Sequence, residues 1–238
     1  MMVFTLKRIL LTGLVLVFAC AMVMGQSGSR ADSQELSVEQ SYLQESIELM
    51  VIREQSRAES RDMKLVALEY IGDAIKRGNN SDEIRATLEF LSLEGVVNVT
   101  RENGRVINNF PDVRTRAATY LGQLGTPEAK KALGRMVAGD NEPMVLTEAI
   151  KSMATIGFTE NDEAINTILW TVNRFNNLNP DNLLALSAIE AFEKYSAANG
   201  GINDPAILQT LMRISEGMYI RPVQDRARAL LDDQKYIQ

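Results

Sequence analysis

Arg116-Ala117-Ala118-Thr119-Tyr120-Leu121-Gly122-Gln123-Leu124-Gly125 is a phrase that the chain repeats. The nearest copy is Glu148-Ala149-Ile150-Lys151-Ser152-Met153-Ala154-Thr155-Ile156-Gly157. Shorter copies are Val66-Ala67-Leu68-Glu69-Tyr70-Ile71-Gly72, Ser187-Ala188-Ile189-Glu190-Ala191-Phe192 and Arg226-Ala227-Arg228-Ala229-Leu230-Leu231. Their alanines stand at 67, 117, 149, 188 and 227, at intervals of 50, 32, 39 and 39. Self-similarity at a period of about 20 to 50 residues marks stacked supersecondary units, each too small to bury its own apolar face. A small residue at one helical station lets two helices approach closely, and the Leu, Ile, Met or Phe after it fills the gap. The glycine that closes the phrase is expected to end the helix in a left-handed cap.

Outward from this phrase the spacing stays helical. Leu43, Ile47, Met50 and Val51 predict one buried stripe on a first helix, started by a capping box at Ser37-Val38-Glu39-Gln40. Leu65, Leu68, Ile71 and Ile75 share a face of a second helix near 62–76, and Ser81 caps a third near 82–93. Thr126-Pro127, Asn179-Pro180 and Asp204-Pro205 each read as a cap followed by proline at the first helical position, where the missing N–H costs nothing. Thr159-Glu160-Asn161-Asp162-Glu163 precedes an apolar helix and reads as acids at its N-terminus rather than a calcium loop. The total is ten helices in five pairs, with no βαβ unit. Met136, Met144, Met153, Met212, Met218 and Trp170 are expected in the core.

One stretch departs from helix. Between 96 and 110, Asn103-Gly104 sits between alternating β-branched runs, which predicts a hairpin because both residues tolerate positive φ. This insertion accounts for the interval of 50, either as a surface loop within one repeat or as a finger that touches a partner.

Pro111-Asp112-Val113-Arg114-Thr115-Arg116-Ala117-Ala118, then Leu121-Gly122, Leu124-Gly125 and Thr126-Pro127-Glu128-Ala129, resemble the HEAT-like repeat first noted in phycobilin lyases. The resemblance implies an all-α fold: a right-handed α-solenoid of about five antiparallel helix pairs, carrying the short hairpin at 96–110. It also implies a binding scaffold, some members of the family assisting enzymes or attaching chromophores. The repeat carries no catalytic residue to transfer.

Composition narrows the chemistry. The chain has no histidine and one cysteine, Cys20, inside the apolar run Ile9 to Met24. Residues 26–238 therefore lack the parts of a Ser-His-Asp or Cys-His relay, a Cys/His zinc site or a disulfide. With 25 Lys and Arg against 31 Asp and Glu, and two of those cations, Lys7 and Arg8, ahead of the apolar run, the remainder is acidic. That disfavours nucleic acid, which demands a basic face. No catalytic, cofactor-binding or metal-binding residues emerge.

The order of basic start, apolar middle and small-residue exit reads as a secretory signal over 1–25. A flexible tether over 26–35 and the repeat domain over 36–238 come after it. The expected location is outside the cytoplasm, periplasmic or associated with a bacterial envelope. Membrane attachment would come only through an uncleaved signal or a lipidated Cys20. Placing the alanine station inward leaves Arg114, Thr115, Thr119, Lys151, Thr155, Glu190, Lys194 and Arg228 outside. The central part is locally basic, through Arg114, Arg116 and Lys151. The expected function is a non-catalytic scaffold that binds a protein with an acidic surface on the concave face. The candidate contacts are Arg114, Arg116, Thr119, Lys151, Glu190 and Lys194. The alternatives are a structural part of a large envelope or motility assembly and, from another class, a lyase-like enzyme or enzyme-assembly factor.

Overall fold

The alanine spacing becomes two layers of helices. The computed structural model describes residues 38–234, so the signal, the tether, Cys20 and Ser37 of the capping box lie outside the described residues. The chain divides into the units Met1–Gln44 and Glu45–Gln238. Among the described residues, the first holds the opening turns of the first helix and the second every other element. The helices are α1 (Val38–Arg57), α2 (Arg61–Lys76), α3 (Asp82–Ser92), α4 (Pro111–Leu124), α5 (Pro127–Gly139), α6 (Pro143–Ile156), α7 (Glu163–Leu178), α8 (Asn182–Asn199), α9 (Pro205–Glu216) and α10 (Arg221–Gln234). Between α3 and α4 lie strands β1 (Arg101–Glu102) and β2 (Arg105–Val106).

Even-numbered helices stack on even-numbered helices, α2 on α4, α4 on α6, α6 on α8 and α8 on α10. Odd-numbered ones form the second layer, α3 on α5, α5 on α7 and α7 on α9. This is an all-α solenoid of helix pairs with a small β insertion. Every alanine of the repeated phrase, 67, 117, 149, 188 and 227, is fully buried, which is why the even helices can pack so closely. Gly72 and Gly122 extend the same close approach. A Cβ on Gly72 would lie 2.3 Å from the Tyr120 hydroxyl, and one on Gly122 would lie 2.7 Å from the Ser152 side chain. The expectation that the closing glycine ends the helix holds at Gly125, whose φ of 66° is left-handed, and at Gly157. It fails at Gly72, which lies inside α2, where closeness to the next repeat requires glycine.

Local signals set most helix starts. Ser81 accepts from the Ile84 N–H, Thr126 from Ala129, Asp162 from Ala164 and Asp204 from Ala206. Asn179-Pro180 is not a start: Asn179 closes α7, and α8 begins at Asn182 because Asp181 accepts from Leu184 N at 2.8 Å. The hairpin forms as its sequence predicts, with Arg101 opposite Val106 and Glu102 opposite Arg105. Asn103 and Gly104 take φ of 49° and 81°, the pair of positive values that a two-residue turn needs.

Several apolar residues lie elsewhere than expected. Leu43, Ile47 and Met50 are exposed, and α1 buries Ile52 and Ser56 instead. Among the described residues α1 has a neighbouring repeat on one side only. Met136 and Met153 are core, but Met144, Met212 and Met218 are exposed, and Trp170 is 54% exposed with Arg174 stacked 4.7 Å from its ring. Each layer has an outward face, so helical spacing alone leaves room for an apolar residue in water.

Candidate protein-binding face

The outward face of the even layer carries the residues expected to bind, and its geometry follows from their distance to the buried alanine. The rungs of this face use two stations, one residue before the alanine and two residues after it. Across neighbouring helices these two stations meet as rungs. Arg116 of α4 reaches Glu69 of α2 at 3.4 Å. Thr119 of α4 donates to Glu148 of α6 at 2.6 Å. Arg226 of α10 donates to Glu190 of α8 at 3.0 Å and is held also by Glu193. The bonds to Glu193 and then Glu190 push the Arg226 guanidinium further above its ordinary range, against the opposing effect of burial.

One rung is missing. Between α6 and α8 the two stations hold Lys151 and Ser187. Ser187 is buried and donates to its own helix, to Leu184 O at 2.8 Å. Lys151 stays exposed with no side-chain partner among the described residues. On α8, Lys194 is likewise exposed and unpaired. The same pair of helices presents Met144, 55% exposed, two turns before Lys151, and Leu183, 64% exposed, two turns before Glu190. To one side, between α2 and α4, a groove of about 580 Å³ is walled by Arg61, Thr115, Arg116, Tyr120 and Gln123 and reaches Met144. Arg61 there is bonded to Asp112 at 2.6 Å. Its charge is thus matched before any partner arrives.

Arg114 has to be removed from this face. It is 1% exposed, its guanidinium bonded to Asp140 at 2.6 Å, to the Glu94 carbonyl at 2.9 Å and to Asn109 at 2.8 Å. The physical reason lies in the spacing: Arg114 precedes Ala117, Ala118 and Leu121 by three, four and seven residues, which places it on the buried stripe. The guanidinium tolerates burial there because each of its three nitrogens finds an acceptor. Lys64 repeats the pattern three residues before Ala67, buried against Glu94 at 3.2 Å and the Ser56 carbonyl at 2.9 Å. The sequence reading missed this second buried cation, although the same spacing marks it.

Arg116 and Thr119 both lie on α4, the first paired toward α2 and the second toward α6, and Lys151, Glu190 and Lys194 share the α6–α8 side. Glu190 is engaged by Arg226. Thr155, exposed one turn after Lys151, bonds back to the Lys151 carbonyl, and Arg228 pairs with Asp225 on its own helix. Among the described residues no group of His, Cys, Asp and Glu could hold a metal ion.

Residues 106–170 match the family model of HEAT repeats, a stretch that runs from β2 through α4, α5 and α6 into α7. No characterised protein and no solved structure matches the chain.

Proposed function

From a HEAT-like repeat protein whose even layer leaves one polar rung open, we propose a non-catalytic scaffold that binds another protein across the α6–α8 face. HEAT repeats generally serve as surfaces for protein interaction. The even layer, whose contacts are made over alanine and glycine, is taken as the side that such repeat stacks use for binding. The observation that carries the reading is the open rung at Lys151. Where the neighbouring rungs match their polar groups internally, this one presents an unpaired cation, with Lys194 beside it on the next helix and Met144 and Leu183 as apolar flanks. Such a surface fits an acidic segment with apolar side chains, steered by charge and held by burial.

Export supports a location in the periplasm or at a bacterial envelope, and rests on the basic, apolar and small residues of 1–25. N-terminal sequencing of the protein recovered from fractionated cells tests it. Recovery of an intact Met1 in the cytoplasmic fraction would end that part of the reading.

The binding face is tested by capture from a detergent-treated envelope extract. The native chain is compared with the double charge reversal Lys151→Glu/Lys194→Glu and with Lys131→Glu, an exposed cation on the opposite layer. A saturable partner retained by the native chain and by Lys131→Glu, and lost from the double variant, is the expected result. A partner held equally by all three would exclude the α6–α8 face.

A further inference from the structure

Beneath the insertion is a second site, away from the even-layer face and built on a different principle. Its cavity, about 280 Å³, lies between the α1–α2 turn, the end of α3 and the segment 98–108. The floor is polar and buried: Lys64, Glu94 and Asn108 are each at most 5% exposed. Asn108 donates to Glu94 Oε1 at 2.8 Å and to the Asn98 carbonyl at 2.6 Å, and its own oxygen accepts from Thr100 N at 2.8 Å. Lys64 reaches Oε1 of the same carboxylate at 3.2 Å and sits 5.5 Å from the centre of the Phe90 ring. Every group in this floor is matched except one. Glu94 Oε2 is buried and meets no donor among the described residues.

A buried carboxylate oxygen without a donor is costly, so this atom asks for an N–H or O–H. The lining above it asks for something apolar. Phe90, Val99 and Ile107 all line the cavity and are all exposed. Charge adds a third constraint. Lys64 already neutralises Glu94, and Arg57 and Glu59 in the lining are opposite in sign, so the cavity calls for no net charge. At about 280 Å³ it sits just below the usual range for ligand cavities, suited to a single ring rather than a larger molecule.

We propose that this cavity binds an uncharged aromatic group bearing one N–H or O–H donor, presented as a tryptophan or tyrosine side chain by a partner polypeptide. The donor bonds Glu94 Oε2 and the ring packs against Phe90, Val99 and Ile107. Only the source of the ring rests on the scaffold reading; the chemistry of the cavity does not.

The test titrates the full chain with indole, N-methylindole and N-acetyltryptophanamide, following the backbone amides of Phe90, Val99 and Ile107 by NMR. Indole and N-acetyltryptophanamide shift these amides, and N-methylindole, which lacks the donor, binds roughly tenfold more weakly or worse. Equal binding of the two indoles, or no shift with indole, overturns the proposal. Binding of indole with exclusion of N-acetyltryptophanamide overturns the polypeptide source. In Glu94→Gln, Lys64 and Asn108 hold the remaining oxygen and an amide N–H₂ takes the place of Oε2. The contrast between the indoles then disappears, and its persistence counts against the assignment. Ile107→Ser, at an exposed position, keeps the floor intact and weakens both indoles alike; unchanged binding there would place the ring elsewhere. A failure of all three ligands leaves the capture experiment at Lys151 untouched, so the two proposals fall separately.

Discussion

Three residues before the buried alanine, the first two even helices carry Lys64 and Arg114, and the next two carry Leu146 and Ala185. All four are buried at the same station of the same repeat. The first pair surrounds the irregular chain between α3 and α4: Lys64 holds the Glu94 side chain and Arg114 the Glu94 carbonyl. The second pair is apolar and lies in the hydrophobic core. A repeat interior thus turns polar where it has a non-helical segment to satisfy, since loop carbonyls and amides left in the core need partners. Elsewhere it stays apolar, where burial alone stabilises it.

Exchanging the two kinds of interior breaks the comparison most severely. Leu146→Arg places a guanidinium at a fully buried station that the native chain fills with leucine, and a loss on the order of 5 kcal/mol or more is expected. The chain should lose its cooperative thermal transition or fail to accumulate in soluble form. Arg114→Ala comes next, at about 3–5 kcal/mol, because Asp140 is left buried without its partner. Chemical denaturation followed by far-UV circular dichroism measures it, and a loss under about 1 kcal/mol would show that the insertion does not depend on this cation.

A milder effect separates paired charges at helix ends from those inside. Burial raises the Asp162 carboxyl, but Lys130 and the backbone N–H groups of Ala164 and Thr159 outweigh it and hold the group below its ordinary range. Because the folded value is depressed, its stabilisation is fully present above the ordinary carboxylate pKa and fades as pH falls through the lower folded value. Asp162→Asn keeps a capping oxygen but removes the charge that Lys130 pairs with, and should cost about 1 kcal/mol at neutral pH. The difference from the native chain should shrink in acid, which paired melting curves at neutral and acidic pH would show. The smallest effect on stability belongs to Lys151→Glu/Lys194→Glu, within roughly 0.5 kcal/mol, since neither side chain has a partner to lose. A larger loss would mean that the face is occupied from within.

The fold was legible because alanine recurs at a fixed helical station and because short polar caps mark the starts; neither signal depends on a partner. The candidate face was legible only in part. Lys151 and Lys194 were placed outward correctly, but turning the alanine station inward was read as leaving Arg114 outside, when its spacing to Ala117, Ala118 and Leu121 already put it inside. Trp170 and Met144 show the opposite error, apolar side chains read onto buried helix faces that lie in water. The vacant rung needed three dimensions, since Lys151 and Ser187 lie 36 positions apart and meet as stations only when α6 stacks on α8. The orphaned oxygen of Glu94 has no counterpart in sequence at all, because it is defined by which donors fail to arrive.

Trp170 has a practical consequence. It is the chain's one tryptophan, lying half in water on α7 with a guanidinium over its ring. Its emission in the native protein should already resemble that of a solvated indole and should change little when the chain is denatured. Optical measurements at this residue would then follow the Arg174 contact rather than the collapse of the stack. That makes it a poor reporter of folding and a sensitive one for anything that docks on the odd layer.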